Sequence, residues 1–143
     1  MKLSGFSVNE DFVSVRHAGR DLDLHNNYQF VELRQSVPQA TVVLRWLRRE
    51  DEWVTADLPD NVQLTFSGVQ LLKVAPRDPE MPPAEDGCLD MLGFLWDHLL
   101  EEMSGCAKAA PEPDCGHFCV LFCGGSAVKV GAAEVALSAS ASA

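Results

Sequence analysis

The chain has 143 residues, 47% of them hydrophobic, with a net charge of −10 and an isoelectric point of about 4.6. That length and apolar content suffice for one domain with a buried core, which excludes a disordered chain and a cysteine-stapled miniprotein. The acid excess excludes phosphate binding by clustered lysine and arginine, and it excludes attraction to an anionic membrane surface.

Met1-Lys2-Leu3-Ser4-Gly5-Phe6 lacks the apolar centre of a signal peptide. No apolar run approaches the ~20 residues of a membrane span. The five cysteines are odd in number and come without a secretion signal, so reduced thiols and a cytoplasmic location are expected.

Short apolar-polar alternations separated by turn residues mark most of the first 75 residues as an antiparallel meander. Phe12 to Val15 and Leu22 to Leu24 are short strand candidates around Gly19, and Tyr28 to Leu33 is another. Thr41 to Arg48 alternates, with Val42, Leu44 and Trp46 on one side and Arg45 on the other. Glu50-Asp51 reads as a hairpin tip returning through Trp53-Val54. In Val62 to Ser67 the residues Val62, Leu64 and Phe66 share the face destined for the core. Gly68 permits a turn before a further run, Val69 to Val74.

Pro76, Pro79, Pro82 and Pro83, mixed with acids, rule out an interior strand or helix and make residues 76–87 an acidic loop. After it, Leu89, Leu92, Trp96, Leu99, Leu100 and Met103 follow helical spacing, with Gly105 as the stop. The spacing predicts a helix over Phe94 to Met103; residues 88–94 suit a strand as well, and Gly93 disfavours helix there. A second loop, Ala107 to Asp114, holds Pro111 and Pro113. His117 to Phe122 is strongly β, Gly124-Gly125 makes a turn, and Ala127 to Val130 pairs back as a hairpin. A last strand is expected around Glu134 to Leu137. The expected architecture is a mainly β antiparallel sandwich or curled sheet with one packed helix, a single domain over 1–137 and a flexible Ser/Ala tail over 138–143.

The charge is unevenly distributed. From Asp78 onward there are eleven acidic residues against Lys108 and Lys129, a net of −9, whereas Met1 to Arg77 is nearly balanced at −1. Such a surface either solubilises the fold or steers a basic partner. Asp78, Glu80, Glu85 and Asp86 in the first loop, with Glu112 and Asp114 in the second, are the candidate contact residues. Trp53, beside Glu52, is the tryptophan expected to be exposed and available to a partner, while Trp46 and Trp96 fall on apolar faces.

The densest set of soft ligands is Cys115-x-His117-x-Cys119-x-x-x-Cys123, with Cys106 and His98 upstream. Zinc needs four such donors in a tetrahedron. Residues 115, 117, 119, 121 and 123 on one strand would instead face one way over far too great a length, so the spacing argues for packed thiols. Cys115 or Cys119 with His117 or His25 lacks an oriented third group for nucleophilic catalysis. Asp21-x-Asp23 and Glu50-Asp51-Glu52 lie where turns place solvated carboxylates. Phosphate-loop, dinucleotide, HExxH and GxSxG patterns are absent, and Gly124-Gly125 is better explained as a turn than as a phosphate cradle. The sequence therefore assigns no catalytic residue, no metal site and no cofactor.

Leu64-Thr65-Phe66-Ser67-Gly68-Val69, Pro76-Arg77-Asp78-Pro79-Glu80 and Gly124-Gly125-Ser126-Ala127-Val128-Lys129-Val130-Gly131-Ala132 together resemble a type of small, β-rich bacterial protein. Some chains of that type are immunity proteins that neutralise polymorphic toxins by binding them. The resemblance covers roughly residues 28 to 137. Its motifs are strand and turn patterns, so it transfers no functional residue.

Three functions are expected from these features. The first is a non-enzymatic binding protein, immunity-like, that engages a basic protein through its acidic loops. The second is a small-molecule-binding protein or enzyme with a pocket between sheet and helix, using His25, His117 and the cysteines. The third is a self-associating structural subunit.

Overall fold

The computed structural model describes residues 1–102, 105–106 and 108–141. It is mainly β, with strands β1 (Lys2–Ser4), β2 (Ser7–Val8), β3 (Ser14–His17), β4 (Arg20–Asp23), β5 (Tyr28–Ser36), β6 (Thr41–Arg48), β7 (Asn61–Ser67), β8 (Leu71–Ala75), β9 (Leu89–Leu95), β10 (His117–Phe122), β11 (Ala127–Gly131) and β12 (Glu134–Ser140). The five-stranded sheet runs β1-β12-β7-β6-β5 and the four-stranded sheet β8-β11-β10-β9; β2-β3-β4 form a small third sheet. All pairings are antiparallel except β1 on β12.

Alternation does place the core. Val62, Leu64 and Phe66 of β7 are fully buried, as are Val42, Leu44 and Trp46 of β6. The two larger sheets meet face to face through rings: Phe66 of β7 lies 5.4 Å from Phe118 of β10, and Phe30 of β5 lies 4.7 Å from Phe122. Phe118 also meets Phe94 of β9 edge-on at 5.3 Å. Val8, Val15, Leu22 and Leu24 bring the small sheet into the same core. Trp46 is enclosed while its indole N–H alone, among the described buried side-chain nitrogens and oxygens, has no hydrogen-bond partner. Trp96 is only partly buried against this core.

Several expectations are corrected. Residues 94–95 continue strand β9, and the predicted helix is replaced by a short 3₁₀ turn at Asp97–Leu99; Met103 lies outside the described residues. A strand buried on both faces carries apolar residues at every register, which mimics helical spacing. The two faces of the four-stranded sheet do pack differently. Leu92 and Phe94 join the main core, whereas Leu95, Cys119, Leu121 and Ala127 form a second cluster beneath Leu99, Leu100 and Cys106. Gly93 has a packing reason: a Cβ there would stand 2.9 Å from the Lys108 carbonyl oxygen and 3.1 Å from the Cys106 Cβ.

Trp53-Val54 is no return strand. Residues 49–60 form a loop, and Asn61–Ser67 supplies the strand that pairs with β6. Arginines hold this loop: Arg48 Nη1 donates to the carbonyls of Ala56 (2.8 Å) and Leu58 (2.6 Å), and Arg20 pairs with Asp57 at 2.9 Å. The Ser/Ala run expected to be a flexible tail is a strand through Ser140, with Ser138, Ala139 and Ser140 opposite Gln63, Val62 and Asn61. Only β7 flanks these three residues, since β1 pairs with β12 at Glu134 to Ala136.

Candidate functional site

The acidic loop 76–88 is folded back on itself by charge and by two glycines. Arg77 Nε donates to both Asp86 carboxylate oxygens at 2.9 Å, and its Nη2 donates to the Met81 carbonyl at 2.7 Å. The Asp78 N–H donates to the Gly124 carbonyl (2.9 Å) and the Gly124 N–H to the Glu85 carbonyl (3.2 Å). Gly124-Gly125 is thus a hairpin turn that must also admit a neighbouring backbone. A Cβ on Gly125, whose φ is 90°, would meet the Asp78 Cβ at 2.9 Å, and one on Gly124 would meet Asp86 Oδ1 at 2.5 Å.

Asp78 and Glu80 are exposed, and Glu85 and Asp86 are half-buried. Asp86 is engaged by Arg77, which leaves Asp78, Glu80 and Glu85 to carry the field of the loop. Glu112 and Asp114 are exposed too, but at the far end of the sheet. The loop 76–88 enters β9 at Leu89, opposite Phe122, whereas the 112–114 turn precedes His117, opposite Leu95. Six residues of strand separate them, roughly 20 Å. The structure does not bring the two acidic loops together.

Trp53 is tied to the same end of the sandwich as the first of them, through the β4–β5 connection. Trp53 is 67% exposed, and its indole N–H donates to the Asn26 carbonyl at 3.3 Å. The adjacent residue, His25, faces Cys88 and hydrogen-bonds the Leu89 carbonyl. Trp53, the β4–β5 connection, loop 76–88 and the Gly124-Gly125 turn therefore share one end of the sandwich.

At that end lies a cluster no local spacing reveals. Cys88 Sγ is 3.6 Å from His25 Nδ1 and 3.1 Å from Cys123 Sγ, and all three ligand atoms lie within 4.8 Å of one another. Cys88 comes opposite Cys123 because β9 carries a bulge at Asp90, which shifts the register so that Leu89 pairs with Phe122. The Cys123 N–H donates to the Cys88 carbonyl at 2.8 Å. Burial first, then its hydrogen bond to Cys88 and the carboxylates of Asp90 and Glu85, push the Cys123 thiol up to about 12.

The residues weighed as one ligand row are dispersed. Cys115 is buried in the main core, held by the tight turn in which the Glu112 and Cys115 backbones bond each other (2.9 and 3.1 Å). His117 Nδ1 contacts Asp97 Oδ1 at 2.7 Å, and that hydrogen bond holds the Asp97 carboxyl below its ordinary range. Cys119 lies under the outer cluster beside Cys106, whose thiol is pushed up by their shared hydrogen bond and by burial. Lys129, opposite Cys119 on β11, is only 4% exposed and donates to the carbonyls of Leu100 (2.7 Å) and Glu102. With the Lys73–Glu101 ion pair it pins the 97–102 turn over the sheet.

The remaining candidate carboxylates serve turns. Asp21 pairs with Arg16 at 3.1 Å, and Asp23 accepts from the N–H groups of His25 (3.0 Å) and Asn26 (2.9 Å). Asp51 faces Arg49 at 3.9 Å. A concavity of about 180 Å³ between β8, β11 and the 97–102 turn is lined by Lys73, Leu100 and Lys129 among others, and not by His25, His117 or a cysteine. No described helix is long and apolar enough to cross a membrane. No family model, curated protein or solved structure matches this chain.

Proposed function

We propose that this chain is a non-enzymatic, cytoplasmic binding protein that engages a basic protein partner, in the manner of an immunity protein. The observation that carries the reading is one end of the sandwich, where exposed Trp53 stands with the acidic loop of Asp78, Glu80 and Glu85. An exposed aromatic at the same end of the fold as a preorganised acidic loop supplies both an anchor and electrostatic steering. The loop is preorganised by the Arg77–Asp86 pair and the Gly124 contacts, so little ordering cost falls on association. Glu112 and Asp114, at the opposite end, belong to solubility in this reading.

The test is affinity capture from lysate of the source cell at low and moderate salt, followed by kinetics on the captured basic protein. Replacing Asp78, Glu80 and Glu85 by lysine should slow association by ~10-fold or more and reverse its salt dependence. Trp53→Ala should act on dissociation, raising Kd by ~30-fold. Unchanged association after charge reversal removes the loop from the interface.

A second reading has its own observation. Strand β8 is an edge of the four-stranded sheet and exposes Val74 at 59%. An edge of this kind can pair with a second copy. Sedimentation showing monomer alone at high concentration disposes of it.

A further inference from the structure

We infer that His25, Cys88 and Cys123 form a zinc site in which solvent completes the fourth position. Three soft donors from three separate segments converge here: the β4–β5 connection, the link into β9 and the residue after β10. Zinc is held by imidazole nitrogen at ~2.0–2.1 Å and thiolate at ~2.3 Å in a tetrahedron. Those lengths place a nitrogen and a sulfur ligand ~3.6 Å apart and two sulfurs ~3.8 Å apart. The Cys88 Sγ to His25 Nδ1 distance is 3.6 Å, and the Cys88 to Cys123 sulfur distance is 3.1 Å. The first needs no change. The second must open by ~0.7 Å, within reach of side-chain rotation because neither cysteine lies inside a β-ladder.

The surroundings favour a divalent ion. Asp90 and Glu85 act electrostatically on Cys123, so a site of two thiolates and one imidazole sits in a negative field that a 2+ ion relieves better than a 1+ ion. All three residues are half-buried, which leaves an open side for a water ligand. The Leu89 carbonyl now hydrogen-bonds His25 Nδ1. Loading moves that ring proton to Nε2, frees Nδ1 for the metal, and releases the two thiol protons to solvent. The ion would tie the β4–β5 connection to the end of β10, far more firmly than the present hydrogen bonds do.

The experiment uses the full chain, chelator-stripped and fully reduced, titrated anaerobically with Co²⁺ and then with Zn²⁺ in chelator competition. One equivalent of Co²⁺ should give four-coordinate ligand-field bands and thiolate-to-cobalt charge transfer of two thiolates, displaced by one equivalent of Zn²⁺. Cys88→Ser and Cys123→Ser should each weaken zinc by more than ~100-fold, beyond what outer-shell partners cost. Cys106→Ser should leave affinity unchanged. Should either serine variant misfold, His25→Gln keeps the test, with the two-thiolate charge transfer retained and the ligand-field bands altered. Zinc affinity weaker than about micromolar, a charge transfer other than two thiolates, or affinity unmoved in Cys88→Ser would each overturn the site.

Discussion

Tyr28 is the only tyrosine in the chain, so its ionisation can be followed without ambiguity. Its ring is fully enclosed, and its hydroxyl donates to the Pro59 carbonyl at 2.7 Å at the partly open rim of the 49–60 loop. Burial pushes the phenol up to about 12, against the lowering effect of Arg48 and Arg20. The folded state therefore keeps a proton that the unfolded chain releases near pH ~10. Since the folded value is the higher one, the stabilisation is complete below about pH 10 and is lost as pH rises toward 12. The full shift corresponds to at most ~2.7 kcal/mol, and screening at the open rim reduces the expected loss to ~1–2 kcal/mol. Tyrosinate absorbance followed with denaturant midpoints from neutral to alkaline pH provides the assay. Absorbance should rise together with unfolding, and Tyr28→Phe should remove the alkaline loss at a cost of ~1 kcal/mol at neutral pH for the unpaired Pro59 carbonyl. Tyrosinate formed near pH ~10 in a still-folded protein would refute the argument.

Three further outcomes follow from particular contacts. Gly93→Ala should destabilise by ~1–3 kcal/mol, since its Cβ would meet the Lys108 carbonyl at 2.9 Å; a denaturation midpoint equal to the parent's would show that the loop yields freely. Lys129→Met should cost ~1.5–3 kcal/mol through the lost charged hydrogen bonds to Leu100 and Glu102. Its hydrogen-exchange protection should fall in the 97–102 turn, while the β10–β11 ladder stays protected. Asp97 is held below the usual carboxylate range by His117, so its contribution is present above ~3.9 and is lost as pH falls through the lower folded value. Asp97→Asn should flatten the acid limb of the stability profile, and an unchanged limb would mean the pair is inert.

Apolar alternation was enough to define β6 and β7, because each buries one face and wets the other. Turn chemistry marked the β10–β11 hairpin, and four prolines marked the acidic loop, since both act within a few residues. The exposure of Trp53 was legible beside Glu52 in a polar stretch. Long-range pairing decided the rest. Leu89 to Leu95 is a strand because β10 and the Phe12 and Lys108 carbonyls satisfy its backbone, which outweighs a local pattern compatible with helix. Ser138 to Ser140 are ordered because β7 lies alongside them. The two acidic loops, alike in sequence, lie at opposite ends of one strand pair. Cys88 and Cys123 meet His25 because the bulge at Asp90 in β9 and the return of loop 76–88 superpose residues far apart in the chain. A sequence records local preference directly; which distant segments come to share a donor or a charge is set by the packing of the sheets.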